Sequence, residues 1–208
     1  MSISPNPKTR PEIRPDDDYA LIQAINAGEA ELFPELVRRY ERKLYNFGMR
    51  MCRDVQDTED MVQDTFINVF KYLKDFRYET KFKNWLYRIA TSTCLKKKRK
   101  SKYAPERELS LDEFIPDENA EIPVQVPGWA AIPLDQLLNE ELSAVIKEGV
   151  ASLPENYRLV LVLRDMEGFS TAETAQVLGL TTENIKVRLH RARLFLREKL
   201  KTYYDHGT

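Results

Sequence analysis

The sequence contains few of the residues from which metal centres and catalytic sites are most often built. It has two cysteines and two histidines among 208 residues. Cys52 and Cys94 belong to no CxxC or Cys/His cluster, His190 lies in a basic segment and His206 is near the C-terminus. The acidic residues also lack the spacing of a metal site. We therefore expect no cofactor, metal or disulfide, and two reduced structural thiols in a cytoplasmic protein.

Long apolar runs are absent as well. No stretch approaches the roughly 20 apolar residues of a membrane-spanning helix, and no secretory signal opens the chain. The content of hydrophobic residues (42%) and of charged residues (31%) predicts a soluble globular protein with many polar faces. The length allows one large or two small domains. We expect a cytoplasmic protein with no stable membrane insertion.

The net charge of −1 conceals a strong segregation of charge along the chain. Residues 77–102 contain ten basic residues and one acidic residue, a net charge of +9. Residues 104–152 contain two basic and eleven acidic residues, a net charge of −9. Such separation is typical of segments that face different partners.

Helical periodicity dominates the first half of the chain. Four prolines within residues 1–15 predict a disordered tail. Four helices then follow: a short one that ends at Gly28, one with Pro34 in its first turn, one over residues 58–73 and one over residues 82–98. The first half is therefore predicted to be a helical domain over residues 16–102.

Residues 103–133 differ from the segments around them. They are rich in proline and acidic residues and have no sustained period, which indicates a long linker between two domains. The helical pattern resumes at residue 134 and predicts a second domain over residues 134–204. We interpret the apolar run VLVL (160–163) as the buried start of a helix. The predicted fold class is all-α, with two helical domains joined by a long acidic, proline-containing linker.

Residues 153–200 have the signature of a helix-turn-helix. Ser170 and Glu173 form a capping-box pair at the start of one helix, Gly179 is suited to end it, and Thr181 is suited to cap the next. The three-residue spacing of Ala172, Ala175 and Leu178 predicts a narrow buried stripe on the first helix. A helix-turn-helix places its second helix in the major groove of DNA.

The second helix has two distinct faces. The buried face is predicted to hold Ile185, Leu189, Ala192 and Leu196. The opposite face holds Glu183, Lys186, Val187, His190, Arg191 and Leu194. Cations on this face would meet phosphates or guanine edges, and a valine would touch a thymine methyl. The alternative is an ordinary surface helix with a charged face.

The third helix also has a face that is unusual for a solvated surface. Its core stripe is predicted to be Val62, Thr65, Phe66, Val69, Tyr72 and Leu73. The other side holds Asp60, Gln63, Asp64, Ile67, Phe70 and Lys71. Acidic residues beside exposed hydrophobic residues indicate a docking face for a protein with basic residues. The alternative is that another helix of the same domain covers this face.

The fourth helix combines aromatic and basic residues. Its core side is predicted to be Phe82, Trp85, Leu86, Ile89 and Thr93. The opposite side holds Lys83, Asn84, Tyr87, Arg88 and Thr91, and the preceding loop adds Arg77, Tyr78, Thr80 and Lys81. Cations interleaved with aromatic residues favour single-stranded or melting nucleic acid, in which exposed bases can stack or flip. The alternative is a solvated, lysine-rich helix end.

Three segments together resemble the bacterial RNA polymerase sigma factors. They are DTEDMVQDTFINVFKYL (57–73), FKNWLYRIAT (82–91) and LPENYRLVLVLRDMEGFSTAETAQVLGLTTENIKVRLHRAR (153–193). The chain is most similar to the extracytoplasmic-function group, which has only sigma regions 2 and 4. The resemblance implies a promoter-specificity subunit that binds core RNA polymerase and is not an enzyme.

The resemblance also implies roles for the residues that match. The face of the third helix would dock on the β′ coiled coil of core polymerase through Asp60, Gln63, Asp64, Ile67, Phe70 and Lys71. The loop and fourth helix would capture the single-stranded −10 element through Arg77, Tyr78, Thr80, Lys81, Lys83, Asn84, Tyr87, Arg88 and Thr91. The helix-turn-helix would read the duplex −35 element through Ser170, Thr171, Glu183, Lys186, Val187, Arg188, His190 and Arg191, and its domain would touch the β flap.

Regulation and two departures also follow from the resemblance. Members of this group are commonly held inactive by an anti-sigma factor, which is expected here as a partner. Val187 stands where a small polar residue is frequent, so the preferred −35 bases would differ. The linker is longer than is typical, and in the family it threads toward the RNA exit path.

Two other classes of protein fit the sequence less well. A stand-alone transcriptional regulator would need a ligand pocket or a phosphoacceptor, whereas the N-terminal half offers a basic helix and a docking face. It would also bind duplex DNA without polymerase. An enzyme acting on nucleic acid lacks the necessary histidines and metal-site acids.

Overall fold

The computed structural model describes residues 17–100 and 140–206, with side chains over residues 18–96 and 143–201. In these ranges all regular secondary structure is helical, as the sequence predicts. The predicted tail over residues 1–15 and the linker over residues 103–133 lie outside the described residues, as does the predicted start of the second domain at residue 134.

The described part of the N-terminal domain contains four α-helices. They are α1 (Asp17–Ala27), α2 (Phe33–Cys52), α3 (Val55–Tyr72) and α4 (Phe82–Lys100), with short 3-10 turns at Ala30–Leu32 and Leu73–Asp75. As predicted, Gly28 ends α1 with a positive φ and Pro34 lies in the first turn of α2. The fully buried residues Leu36, Phe47 and Leu86 show that α2 and α4 share one core.

Helix α3 begins three residues earlier than the sequence suggested. Asp54 is its N-cap, and the Asp54 carboxylate accepts a hydrogen bond from the main-chain N of Asp57 at 2.8 Å. The predicted core position Tyr72 is wrong, because this side chain is 43% exposed at the end of the helix. Met61, which the periodicity missed, is fully buried instead. The buried stripe of α3 therefore lies closer to the N-terminal end of the helix than predicted.

Close packing of α2 on α3 depends on a glycine. A Cβ atom at Gly48 would lie 2.5 Å from Cε of Met61 and 2.8 Å from Cγ2 of Thr58. Both distances are shorter than van der Waals contact, so a larger residue at this position would force the side chains of Met61 and Thr58 to shift. The same fold brings Sγ of Cys52 to 3.9 Å from Sγ of Cys94, with both residues in the thiol form.

The described part of the C-terminal domain contains four further helices. They are α5 (Glu140–Ser152), α6 (Glu155–Leu161), α7 (Thr171–Leu178) and α8 (Thr182–His206). Helix α6 continues into a π-helical turn, Val162–Met166. The apolar run 160–163 is buried, as expected, but lies at the end of α6 and not at the start of a helix. The helix begins directly after Pro154, which is its N-cap.

Packing within the helix-turn-helix matches the predictions for α8 better than those for α7. Ile185, Leu189, Ala192 and Leu196 are all buried. The stripe predicted for α7 is partly wrong, because Ala172 is exposed and Leu178 is half-buried, whereas Thr174, Ala175 and Val177 are buried. The short α7 is covered on two sides, by α8 and by α4, and so buries a wider face than one stripe.

The two domains pack against each other through α7 on α4 and through α5 and α6 on α2. Because of this packing, one side of α4 that the sequence predicted to be exposed is partly buried. Of its predicted core side, Phe82, Leu86 and Thr93 are buried, whereas Trp85 and Ile89 are half-buried. On the side expected to be exposed, Tyr87 is fully buried, and Asn84 and Thr91 are 5% and 4% exposed. A neighbouring domain that single-helix periodicity cannot reveal covers part of that side.

Candidate polymerase and nucleic-acid interfaces

The outer face of α3 is apolar at its centre and acidic at its N-terminal end. Ile67 and Phe70 are 56% and 54% exposed. Among their predicted neighbours Gln63, Asp64 and Lys71 are exposed and Asp60 is half-buried. No helix of the described residues covers this face, so the interpretation as an intramolecular packing surface is wrong. Exposed apolar side chains of this size beside acids are typical of a protein-docking surface.

Local packing holds this α3 face in a defined shape. The ring of Phe70 rests with its edge on Phe33, with the centroids 4.9 Å apart. The side-chain amide of Gln56 donates to the Asp60 carboxylate at 3.2 Å, and the amide of Asn68 donates to the main-chain O of Asp64 at 2.8 Å. These contacts hold the α3 face in one arrangement, which would limit the entropy lost if a partner binds there.

An aromatic cluster shapes the loop before α4. Tyr78 has a φ of 58°, in the left-handed region that non-glycine residues adopt rarely and at a cost of roughly 1–3 kcal/mol. Its ring packs at a tilt against Tyr19 and Phe76, with the centroids 4.6 and 4.8 Å apart. These contacts offset the strain, and the neighbouring Arg77 is exposed.

The nine predicted −10 residues fall into an exposed and a covered set. Arg77, Lys81 and Arg88 are exposed, and Tyr78, Thr80 and Lys83 are half-buried. Asn84, Tyr87 and Thr91 are buried. The side-chain amide of Asn84 donates to Oγ1 of Thr80 at 3.1 Å, whereas within the described residues its Oδ1 and Oγ1 of Thr91 have no hydrogen-bond partner. Buried acceptors of this kind cost about 1–3 kcal/mol while unpaired.

Tyr87 of the covered set and the half-buried Lys83 contact residues of the C-terminal domain. Oη of Tyr87 donates to the Glu167 carboxylate at 2.6 Å, and the ring packs on Phe169. Burial, followed by the negative charge of Glu167, raises the pKa of Tyr87, so the phenol stays protonated. Burial lowers the pKa of Lys83, whose Nζ donates to the main-chain O of Glu167 at 2.6 Å.

The turn of the helix-turn-helix is built as its sequence predicts. Oγ of Ser170 accepts from the main-chain N of Glu173 at 3.1 Å, and the Glu173 carboxylate accepts from the main-chain N of Ser170 at 2.8 Å. Gly179 ends α7 in the left-handed conformation, with a φ of 67°. Oγ1 of Thr181 then accepts from the main-chain N of Asn184 at 3.2 Å and caps α8.

The predicted −35 residues follow one side of α8 and the start of α7. Glu183, Lys186 and Val187 are exposed, as is Ser170, while Thr171, Arg188, His190 and Arg191 are half-buried. Burial and the nearby arginines 197, 193 and 191 lower the pKa of His190. A neutral imidazole offers both a donor and an acceptor, which suits it to read a base edge.

Arg193 of this basic segment has a partner in the turn that follows α6. Nε and Nη2 of Arg193 donate to the two carboxylate oxygens of Asp165 at 2.9 and 2.7 Å. This bidentate pair ties α8 to the turn that follows α6 and so fixes the orientation of the predicted recognition helix. Sequence periodicity alone does not predict that Arg193 forms this pair.

Sequence reasoning missed the residues that join the domains. Glu167 also accepts from Nη1 of Arg50 at 2.8 Å, a contact across 117 positions of the sequence. Nothing local marks Arg50, Glu167 or Phe169, because each belongs to an ordinary helix or turn pattern. Covariation of these positions among relatives is the signal that would have revealed them.

No group of three or more histidines, cysteines, aspartates or glutamates within the described ranges is arranged to hold a metal ion. Over those same residues, none of the helices combines the length and the apolar character that crossing a membrane requires.

Comparisons with known proteins agree with this arrangement. Residues 36–103 match the family described as sigma-70 region 2, and residues 143–196 match sigma-70, region 4. The chain is 32% identical over 180 residues to the ECF RNA polymerase sigma factor SigW of Bacillus subtilis, covering 86% of this chain and 95% of SigW.

Two solved structures share the fold. One is CnrH in complex with the cytosolic domain of CnrY (TM-score 0.64, 24% identity, 90% of this chain and 99% of CnrH covered). The other is the sigma factor RpoE in complex with the anti-sigma factor NepR from Bartonella quintana (TM-score 0.59, 24% identity, 81% and 96% covered). With its region 2 and region 4 segments in order and 32% identity to SigW over 86% of its length, the chain belongs to the ECF RNA polymerase sigma factors.

Proposed function

We propose that this protein binds core RNA polymerase, directs it to specific promoters and helps to melt their −10 element. The observation that carries the proposal is the succession, in one chain, of a region 2 match and a region 4 match, each with a preformed exposed face. We assign residues 16–102 to the region 2 domain, residues 103–133 to the linker and residues 134–204 to the region 4 domain.

Core polymerase binds to the outer face of α3 in this proposal. Ile67 and Phe70 supply an apolar centre, and Asp60 and Asp64 supply the charge complement to basic residues of the β′ coiled coil. Gln63 and Lys71 complete the face. The region 4 domain makes a second contact, with the β flap.

The −10 element binds as a single strand along α4 and the loop before it. Arg77, Lys81 and Arg88 are exposed cations that meet backbone phosphates. Tyr78 and Lys83 lie beside them and offer a stacking surface and a donor for bases. Tyr87, which Phe169 covers in this structure, offers a second stacking surface once it is uncovered. The unpaired Oδ1 of Asn84 and Oγ1 of Thr91 favour a ligand that brings hydrogen-bond donors, which base edges have. Thr80 holds the Asn84 amide in place.

The −35 element binds as a duplex to α8. Lys186, Arg188 and Arg191 meet phosphates or guanine edges, and Val187 contacts a thymine methyl. Glu183 and His190 complete the base-reading face, while Ser170 and Thr171 bring the start of α7 to the DNA backbone, where a helix N-terminus binds phosphate.

The protein performs no chemistry itself and works in the cytoplasm, where core polymerase and promoters are found. An anti-sigma factor regulates it, a role supported by the shared fold with RpoE, whose structure is of a complex with the anti-sigma factor NepR.

Binding to core polymerase tests the proposal most simply. The double variant Asp60→Lys/Asp64→Lys should bind core polymerase at least about tenfold more weakly than the wild type, because two attractive contacts become repulsive. The matched control Glu41→Lys/Glu148→Lys makes the same change of charge at exposed positions of α2 and α5, away from α3. Equal affinity of both double variants for core polymerase would refute the docking face.

Promoter reading is tested separately. Lys186→Ala and Arg191→Ala should reduce transcription from promoters with an intact −35 element and leave affinity for core polymerase unchanged. A loss of polymerase binding in these variants would contradict the assignment of these residues to DNA.

A further inference from the structure

The C-terminal domain lies against the side of α4 on which the −10 strand is placed above. Tyr87 is fully buried, and its ring packs on Phe169 with the centroids 4.9 Å apart and the planes at 63°. Nζ of Lys83 lies 4.1 Å from the centroid of the same Phe169 ring. An aromatic side chain of the helix-turn-helix domain thus stands where an exposed base would stack on Tyr87.

The same segment supplies the negative charge that a DNA backbone would supply. The Glu167 carboxylate accepts from Nη1 of Arg50 at 2.8 Å and from Oη of Tyr87 at 2.6 Å. Nζ of Lys83 donates to the main-chain O of Glu167 at 2.6 Å. A carboxylate followed two residues later by an aromatic ring presents the same two features as a nucleotide, a phosphate and a base.

A second contact covers the loop before α4. Nζ of Lys81 pairs with the Glu173 carboxylate at 3.0 Å, and Oγ1 of Thr80 lies 3.4 Å from Oε1 of Gln176. The interdomain contact therefore engages both the loop and the helix of the proposed −10 surface, and it does so with acidic, amide and aromatic groups.

We propose that residues 167–176 act as an intramolecular competitor of the single-stranded −10 element. In the protein without polymerase they bury Tyr87 and contact Lys83, Lys81 and Thr80, so that single-stranded DNA is bound along this surface only after the two domains separate. The inference rests on the proposed −10 role of α4 and adds a closed, inhibited state to it.

Glu167 is the residue through which this state can be tested. Its side chain is 8% exposed, and both hydrogen bonds to its carboxylate come from the other domain. Glu173, by contrast, also closes the capping box of α7. A substitution at Glu167 therefore removes an interdomain contact and leaves the helix-turn-helix and the predicted DNA-binding residues intact.

The full-length variants Glu167→Gln and Glu167→Lys should open the protein. The first removes the charge, and the second places a cation beside Arg50 and Lys83. Glu148→Gln and Glu148→Lys make the same changes at an exposed position of α5 and serve as matched controls. Small-angle X-ray scattering should show a larger radius of gyration for the Glu167 variants than for the wild type and the controls.

Fluorescence anisotropy with a labelled, mixed-sequence single-stranded DNA of about twelve nucleotides then reports access to the −10 surface. We expect both Glu167 variants to bind the strand roughly tenfold more tightly than the wild type, because a closed state lowers apparent affinity by the fraction of molecules that are open. Affinity no higher than that of the matched Glu148 variants, or an equally extended wild type, would overturn the proposal.

Run-off transcription with core polymerase on the same variants separates this inference from the proposed function. The proposal requires the two domains to separate when core polymerase binds, so transcription by the Glu167 variants should equal that of the wild type. Failure of every variant and of the wild type to support transcription would refute the sigma-factor function, while scattering and anisotropy would still decide whether the two domains close over α4.

Discussion

Replacement of Glu173 by glutamine should destabilise the protein relative to the wild type. This loss of stability should be larger at neutral pH than at acid pH. Burial alone would raise the pKa of Glu173, but hydrogen bonds from Ser170 and from Lys81 hold it at about 2, against an ordinary value of 4.5. A carboxyl group with a lowered pKa contributes stability that is complete above its unfolded pKa. That contribution is lost as the pH falls through the folded pKa.

The size of the effect follows from the same shift. A difference between 4.5 and about 2 corresponds to about 3 kcal/mol for the ionised group. Solvent reduces this value, because the Lys81 side chain is 60% exposed, and glutamine keeps part of the capping hydrogen bond. We therefore expect the Glu173→Gln variant to lose about 1–2 kcal/mol of the free energy of unfolding at pH 7 and less than half of that at pH 3.

Urea unfolding followed by circular dichroism at pH 7 and pH 3 measures this difference. Glu148→Gln, which removes one exposed carboxylate of the same domain, is the control and should change the free energy of unfolding by less than about 0.5 kcal/mol at either pH. A loss for Glu173→Gln that is the same at both pH values would refute the argument that its ionised form holds the start of α7.

Three further substitutions test the packing that positions the two interfaces. Gly48→Ala should destabilise the protein by about 1–2 kcal/mol in thermal unfolding, because overpacking against Met61 outweighs the gain of about 1 kcal/mol in helix propensity; a more stable variant would contradict this. Asp54→Ala should lower the free energy of unfolding by about 1 kcal/mol through loss of the α3 cap, and an unchanged value would mean that water replaces it. Asp165→Asn should weaken binding to −35 duplex DNA by gel shift, because it releases Arg193 and the orientation of α8; unchanged affinity would show that the helix core alone orients α8.

The helix-turn-helix was predictable in detail because its signals are local. The capping box of Ser170 and Glu173, the left-handed Gly179 and the Thr181 cap each depend on residues within four positions of one another. The exposed face of α3 was predictable for the same reason, since periodicity within one helix separates Ile67 from the core. The resemblance to sigma factors then connected these faces to partners.

The remaining features depend on contacts between distant segments. Tyr87 is buried because Phe169, which follows it by 82 positions, packs on its ring. The stripe predicted for α7 was wrong because both α4 and α8 pack against this short helix. The burial predicted for Tyr72 was wrong because α3 ends at that residue. Periodicity describes one helix against one core, so it does not report a second domain docked on the opposite side.

Run-off transcription from fragments of the source genome, with core RNA polymerase and the purified protein, tests the central claim most directly. The account predicts new, specific transcripts whose start sites share a −35 and a −10 element, and stoichiometric binding of the protein to core polymerase. Absence of polymerase binding, together with tight binding of duplex DNA by the protein alone, would contradict it and indicate a stand-alone regulator.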